Sequence, residues 1–322
     1  MGLLQKVNEQ PKSGLKVLTY GATGTGKTRF ALTFPGIAAA DSEDGMTWYT
    51  KDKELGKNLL FRNVTNSSKD MEELLEEIEE EFEEAGIKTF LIDSETKFYQ
   101  NLQHVQLNIA EARAKKNARS ADAEGLSQKE WGKIKQVSQR IQNAKIMLAS
   151  QGVNIVSVAQ ESDIKEKQGE NFVVVGHKPD VAKSLEFDYD IILRLFTKEE
   201  YEKGVKVTRY KAEIIKDRTG TFQKNEVVDN PHFSMWETAY KLGQSGTTAK
   251  HDLKKFEEID EEIFNDQEAI DKAVAEIKKL AKTSTAAMAK LTEFVKSGRV
   301  PEKFAFESVK DAKSVLAELT AL

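Results

Sequence analysis

One octapeptide constrains this chain more than any other feature: Gly21-Ala22-Thr23-Gly24-Thr25-Gly26-Lys27-Thr28, preceded by the apolar run Leu15 to Tyr20 and followed by Arg29 to Phe34. The order reads strand, glycine-rich loop, helix. A G-x-x-x-x-G-K-[ST] pattern in that context binds phosphate by geometry. The glycines let backbone N–H groups curl around phosphate oxygens, and a helix amino end adds its positive dipole. Lys27 reaches the β and γ phosphates, and the Thr28 hydroxyl takes a place on Mg²⁺. A flexible glycine turn is the plain alternative, and the flanking strand and helix argue against it.

The segments that follow supply acids where such a loop needs them. Pro35-Gly36 stops the helix, and Ile37 to Ala40 forms a short buried strand that runs into Asp41-Ser42-Glu43-Asp44-Gly45. Ligands of parallel sheets sit at the carboxyl ends of strands, so these acids emerge beside the phosphates. Trp48 and Tyr49 read as packing residues. After a strand over 59–64, Met71, Leu74, Leu75, Ile78 and Phe82 recur at spacings of three and four, which predicts a helix over 70–84 with one buried stripe. The apolar run Thr89 to Ile92 ends at Asp93 and Ser94, and a carboxylate there can hold Mg²⁺ directly or through water.

Residues 96–150 read as mostly helical, broken near Gly125, with Trp131, Ile134, Ile141, Ala144 and Leu148 as a packing stripe. Arg113, Lys115, Lys116 and Arg119 form the best local basic patch, either a solvated helix face or a phosphate contact. A strand over 153–159 ends at Gln160. The polar stretch 161–178, with Lys165 and Lys167 against Asp163, Glu166 and Glu170, reads as a long connection. Further strands fall at 191–196, 205–215 and 226–228. Lys216 and Arg218 end one of them and, two residues apart on extended chain, point to the same side, as a phosphate clamp or partner contact needs.

With 322 residues there is room for more than one unit. We read an amino-terminal arm over 1–13, a nucleotide-binding domain over 14–242, a linker over 243–252 where Gly, Ser and Thr accumulate, and a small helical C-terminal module over 253–322 suited to docking or assembly. The absence of cysteine excludes disulfides, thiolate metal sites and cysteine nucleophiles. The four histidines lie far apart, and no apolar run is long enough to span a membrane. A cytoplasmic protein without membrane partners is expected. The net charge of -5 argues against a uniformly basic coat for nucleic acid, although local patches bind DNA irrespective of the average.

Together the phosphate loop, Asp41-Ser42-Glu43, Leu91-Ile92-Asp93-Ser94, the strand ending in Gln160 and Lys216-Asp217-Arg218 resemble the RecA-like ATPase core in order and spacing, over about residues 14–230. More narrowly, the chain resembles bacteriophage nucleotide-binding proteins with a RecA-like core, some of which act as single-strand annealing proteins in recombination. The resemblance implies an α/β fold with a mainly parallel sheet, ATP and Mg²⁺ as ligands, and assembly as a filament or ring on single-stranded DNA. If the chain is phage-encoded, it implies residence in the bacterial host cytoplasm.

It implies that Glu43 polarises the attacking water, with Glu95 as the less favoured rival. Gln160 would sense the γ-phosphate, and Lys216 and Arg218 would reach a neighbour's ATP. The segments at Arg113 to Arg119 and 161–178, including Lys165 and Lys167, would contact DNA. The helical module would dock a partner such as a single-strand-binding protein. The first DNA-contacting region is longer than in the recombinases and the second is not net basic, which sets strand exchange apart from ATP binding. A nucleotide-gated interaction protein with little turnover is the alternative of a different class. A small-molecule kinase would need an arginine-rich lid, and the sequence shows none.

Overall fold

The structure, a computed structural model, describes residues 12–116, 125–169, 171–246, 269–301, 304–306 and 308–320. The chain divides into two compact units, 1–251 and 252–322.

The first unit is built on a nine-stranded sheet. Its strands are β1 (Lys16–Gly21), β2 (Ile37–Asp41), β3 (Leu59–Val64), β4 (Thr89–Asp93), β5 (Asn154–Gln168), β6 (Asn171–Pro179), β7 (Ile191–Glu202), β8 (Val205–Asp217) and β9 (Val227–Asp229). Their order is β3-β2-β4-β5-β1-β7-β8-β9, with β6 paired to β5 alone. The pairs from β3 across to β7 are parallel, and β5·β6, β7·β8 and β8·β9 are antiparallel. The fold is therefore α/β with a mainly parallel sheet. The central strands are buried on both faces, as their continuous apolar runs require.

Each face of the sheet carries a helical layer. One layer comprises α2 (Ser68–Glu81), α3 (Glu95–Lys116) and α4 (Gln128–Ser150), whose Met71, Leu75, Ile78, Phe98, Ile141 and Leu148 cover Leu18, Phe90, Ile92 and Ile155. Ser67 starts α2 by accepting the N–H of Asp70. On the other face, α1 (Lys27–Ala31) and α5 (Glu237–Gln244) pack with the buried Trp236, whose indole N–H donates to Asp217 at 3.0 Å.

Three features differ from the pattern read in the sequence. Helix α1 has five residues, because after Leu32 the chain closes with short-range turns. Trp131, expected in the α4 stripe, is 45% exposed. The polar stretch 161–178 is no open connection: β5 runs on past Gln160 and folds back as β6 in a two-stranded ribbon turned at Gly169, φ 66°. Both faces of that ribbon are solvated along most of its length, so it carries no alternating core signal. Arg119 lies outside the described residues, as do the side chains of Arg113, Lys115 and Lys116. Helix α5 runs to Gln244, which donates to Gly152 O, so the stretch read as linker begins as packed helix.

The second unit holds α6 (269–283), α7 (Thr285–Lys296) and α8 (Val309–Thr320). Ile277, Ala287, Leu291, Phe294, Ala312 and Val315 make its own apolar core. Ser284 caps α7 by accepting the N–H of Ala287. Among the described residues no helix is long and apolar enough to cross a membrane.

Candidate active site

The phosphate loop leaves β1 at Gly21 and enters α1 at Lys27. Two of its glycines are required by close approach. A Cβ on Gly21 would stand 2.2 Å from the carbonyl oxygen of Leu195, and Gly26, at φ 89°, lies against Tyr210, whose Cδ1 would be 3.1 Å from an added Cβ. Thr25 braces the turn by donating to Ala22 O at 2.8 Å. Lys27 folds back over the loop and donates to Gly21 O and Ala22 O, both at 2.8 Å. Burial lowers its pKa, while Asp93 pulls the other way. A short helix contributes little macrodipole, so the groups here that could hold an anion are the loop N–H groups and Lys27.

Thr28 and Asp93 meet directly, the hydroxyl donating to Asp93 Oδ2 at 2.6 Å. Burial at the end of β4 pushes the Asp93 carboxyl up to about 6. The donor set is two hard oxygens beside a phosphate cradle, and it fits Mg²⁺: a cation there would compensate a buried carboxylate whose hydrogen-bond partner is neutral.

Glu43 stands on the loop after β2, and its position is held at several points. Asp41, 1% exposed, accepts the N–H groups of Glu43, Gly45 and Met46 at 3.3, 3.1 and 2.9 Å. Arg62 in β3 clamps Asp41 Oδ2 through Nε at 2.9 Å and a terminal nitrogen at 2.7 Å, and also bonds Asp44. Glu43 Oε1 accepts from Ser94 Oγ at 3.0 Å and from Gln160 Nε2 at 3.2 Å. Ser94, joined to Asp93 by a cis peptide, donates its N–H to Ser42 at 2.8 Å. Glu43, Ser94, Gln160 and the Thr28–Asp93 pair thus form one constellation at the carboxyl ends of β2 and β4 and the middle of β5, where Gln160 pairs with Gly21.

Glu95 is in no position to serve as a base. It is 8% exposed, both of its oxygens accept from the buried Lys145 at 2.8 and 2.7 Å, and Ser157 donates to Oε2 at 2.9 Å. Ser157 in turn shares a 2.6 Å hydrogen bond with the buried Tyr189 hydroxyl.

Lys216 and Arg218 lie elsewhere. In register Lys216 pairs with Ile192, which pairs with Leu18, so Lys216 sits about 10 Å down the sheet from the level of Gly21 at ~3.3 Å per residue. Lys216 donates to the carbonyls of Glu186 and Phe187, both at 3.1 Å, and burial lowers its pKa, with Arg218 adding to the effect. Arg218 faces Asp190 at 3.6 Å. Lys165 and Lys167 stand on the exposed ribbon, opposite Val174 and Phe172. Arg62, Ser94 and Tyr210 are site residues that sequence reading did not assign. Only Ser94, adjacent to Asp93, carried a local signal.

A family model described as an AAA domain matches residues 13–229, which includes every element of this constellation. No curated protein matches the chain.

Proposed function

Because the chain belongs to the AAA domain family of P-loop ATPases, we propose that it is a Mg²⁺-dependent ATPase that assembles on single-stranded DNA and promotes annealing or recombination. The observation that carries this reading is the contact of Gln160 with Glu43, since β5 continues without interruption from Gln160 into the exposed ribbon. In this reading Lys27 and the loop N–H groups hold the phosphates, and Glu43 takes the proton of the attacking water. Thr28 and Asp93 would hold Mg²⁺, which would supply charge neutralisation on the phosphates. Gln160 gives up Glu43 when a γ-phosphate draws its amide away, and its movement is passed along β5 to the ribbon.

The ribbon suits a single strand: Lys165 and Lys167 offer charge to phosphates beside Val174 and Phe172, the latter 69% exposed and open to base stacking. Arg113, Lys115, Lys116 and Arg119 are a second contact in this proposal. Lys216 and Arg218 act on a neighbouring subunit's ATP, a role supported by their distance from the loop of their own chain, and the assembly is a filament or ring. The C-terminal unit docks a replication partner such as a single-strand-binding protein. A phage protein working in the host cytoplasm would have these properties.

Binding to a fluorescent oligonucleotide in the presence of a non-hydrolysable ATP analogue tests the reading. Lys165→Glu with Lys167→Glu should weaken binding and lower the salt slope by about 0.7 for each phosphate left without its lysine. Equal affinity of wild type and variant, with or without nucleotide, would remove the ribbon from the account.

A further inference from the structure

On the sheet face opposite α1, helix α4 presents Trp131, Lys135, Ser138 and Gln142 at spacings of four, three and four, one stripe along its length. The stripe lines a cavity of about 670 Å³ whose other walls are Tyr99 of α3 and residues 182–188, the segment that leads into β7. That segment is held in place. Leu185 is buried in the core layer that holds Ile141, Ser184 bends the chain at φ 77°, and Lys216 donates to the carbonyls of Glu186 and Phe187.

We propose that this cavity is a second nucleotide site, separate from the phosphate loop, which takes one nucleoside monophosphate unit with its base against Trp131 and Tyr99. Three features converge on that ligand. Gln142 is 7% exposed and its Oε1 has no hydrogen-bond partner among the described residues, and Ser138 Oγ is buried without one as well. Buried polar atoms are nearly always paired. An amide acceptor and a hydroxyl left over on one cavity wall match the N–H group and ring nitrogen of a base, which they reach by a turn about their side-chain torsions. An apolar ligand would leave both unpaired. Trp131, 45% exposed although the α4 packing pattern would bury it, joins Tyr99 in offering aromatic faces to a planar ring. Lys135 and Lys183 are exposed lining residues with no ion-pair partner among the described residues, and they outnumber the one lining carboxylate, Asp188, so the cavity favours a phosphate. Such a unit comes either free in solution or as one residue of a single strand. The proposal stands apart from the reading of the phosphate loop, because no residue of that loop lines the cavity.

Calorimetric titration of the full chain with AMP and with a short adenine oligodeoxynucleotide tests this. Trp131→Ala should weaken the ligand that uses the site about tenfold or more, and Gln142→Leu about fivefold. A loss seen with AMP identifies the free nucleotide as the source, and a loss confined to the oligonucleotide identifies the strand. Unchanged affinity for both ligands in Trp131→Ala, or no binding of either by the wild type, would overturn the site. Lys27→Ala should bind the same ligand as the wild type does, and its loss there would move the ligand to the phosphate loop and reject the proposal. Photo-crosslinking of the wild type with 8-azido-AMP, or with the oligonucleotide carrying the same azido base, needs no variant. Adducts on the α3 and α4 peptides that hold Tyr99 and Trp131 are expected, and adducts confined to other peptides would overturn the assignment.

Discussion

The side-chain amide of Gln160 donates to Oε1 of Glu43 across 3.2 Å, joining residues 117 apart in the sequence. Two consequences follow from that single bond. A carboxylate engaged by an amide and by Ser94 is held in place, as the proposed role on the attacking water requires. In the proposed function the amide would exchange Glu43 for a γ-phosphate and so act as a switch, because its strand continues into the ribbon.

Glu43→Gln keeps shape and both hydrogen-bonding neighbours but cannot accept the proton. ATP affinity should stay within about threefold, while phosphate release falls about 10²–10⁴-fold, the usual worth of a positioned base. A wild-type rate in this variant would show that another group activates the water.

Asp93 carries a charge that the apo protein holds at a cost. Its folded pKa of about 6 lies above the ordinary 3.8, so between these values the folded state binds the proton more tightly than the unfolded chain. Its contribution therefore favours folding as pH falls through 6 toward 4, and opposes it at pH 7 by about 3 kcal/mol at ~1.4 kcal/mol per unit. Asp93→Asn should raise apo stability to urea at pH 7, lose that advantage near pH 4, and abolish Mg²⁺-dependent ATP turnover. Equal stability of wild type and variant at pH 7 would contradict the buried-charge account.

The Lys145–Glu95 pair is buried and fully engaged with Ser157. Lys145→Met strands a buried carboxylate and should cost about 3–5 kcal/mol in urea unfolding. Adding Glu95→Gln should recover at least half of that loss, since the uncompensated charge is then gone. No recovery would mean that the lysine acts through packing alone.

How much of this was legible in the chain depended on how local each signal was. The phosphate loop and Asp93 were readable because their chemistry is written in adjacent residues behind apolar runs. Glu43 was readable only as an acid after a strand. Its preference over Glu95 gains its physical reason from Lys145, 50 residues further along, which no local pattern could reveal. The ribbon escaped notice because a two-stranded element with solvated faces has no core-facing alternation. Arg62 and Tyr210 escaped because their contacts with Asp41 and Gly26 come from sheet register, not spacing. The shortness of α1 was hidden for a related reason: Arg29 to Phe34 are good helix residues, but Phe30, Phe34 and Trp236 pack edge to face and shape the exit of the helix.

The most direct test of the account is steady-state ATP hydrolysis with and without single-stranded DNA, in wild type and Gln160→Ala. If Gln160 couples Glu43 to the ribbon, single-stranded DNA raises the wild-type rate by about tenfold, ~1.4 kcal/mol of barrier, and leaves the Gln160→Ala rate unchanged. A wild-type rate indifferent to DNA, or a full response in Gln160→Ala, would contradict it.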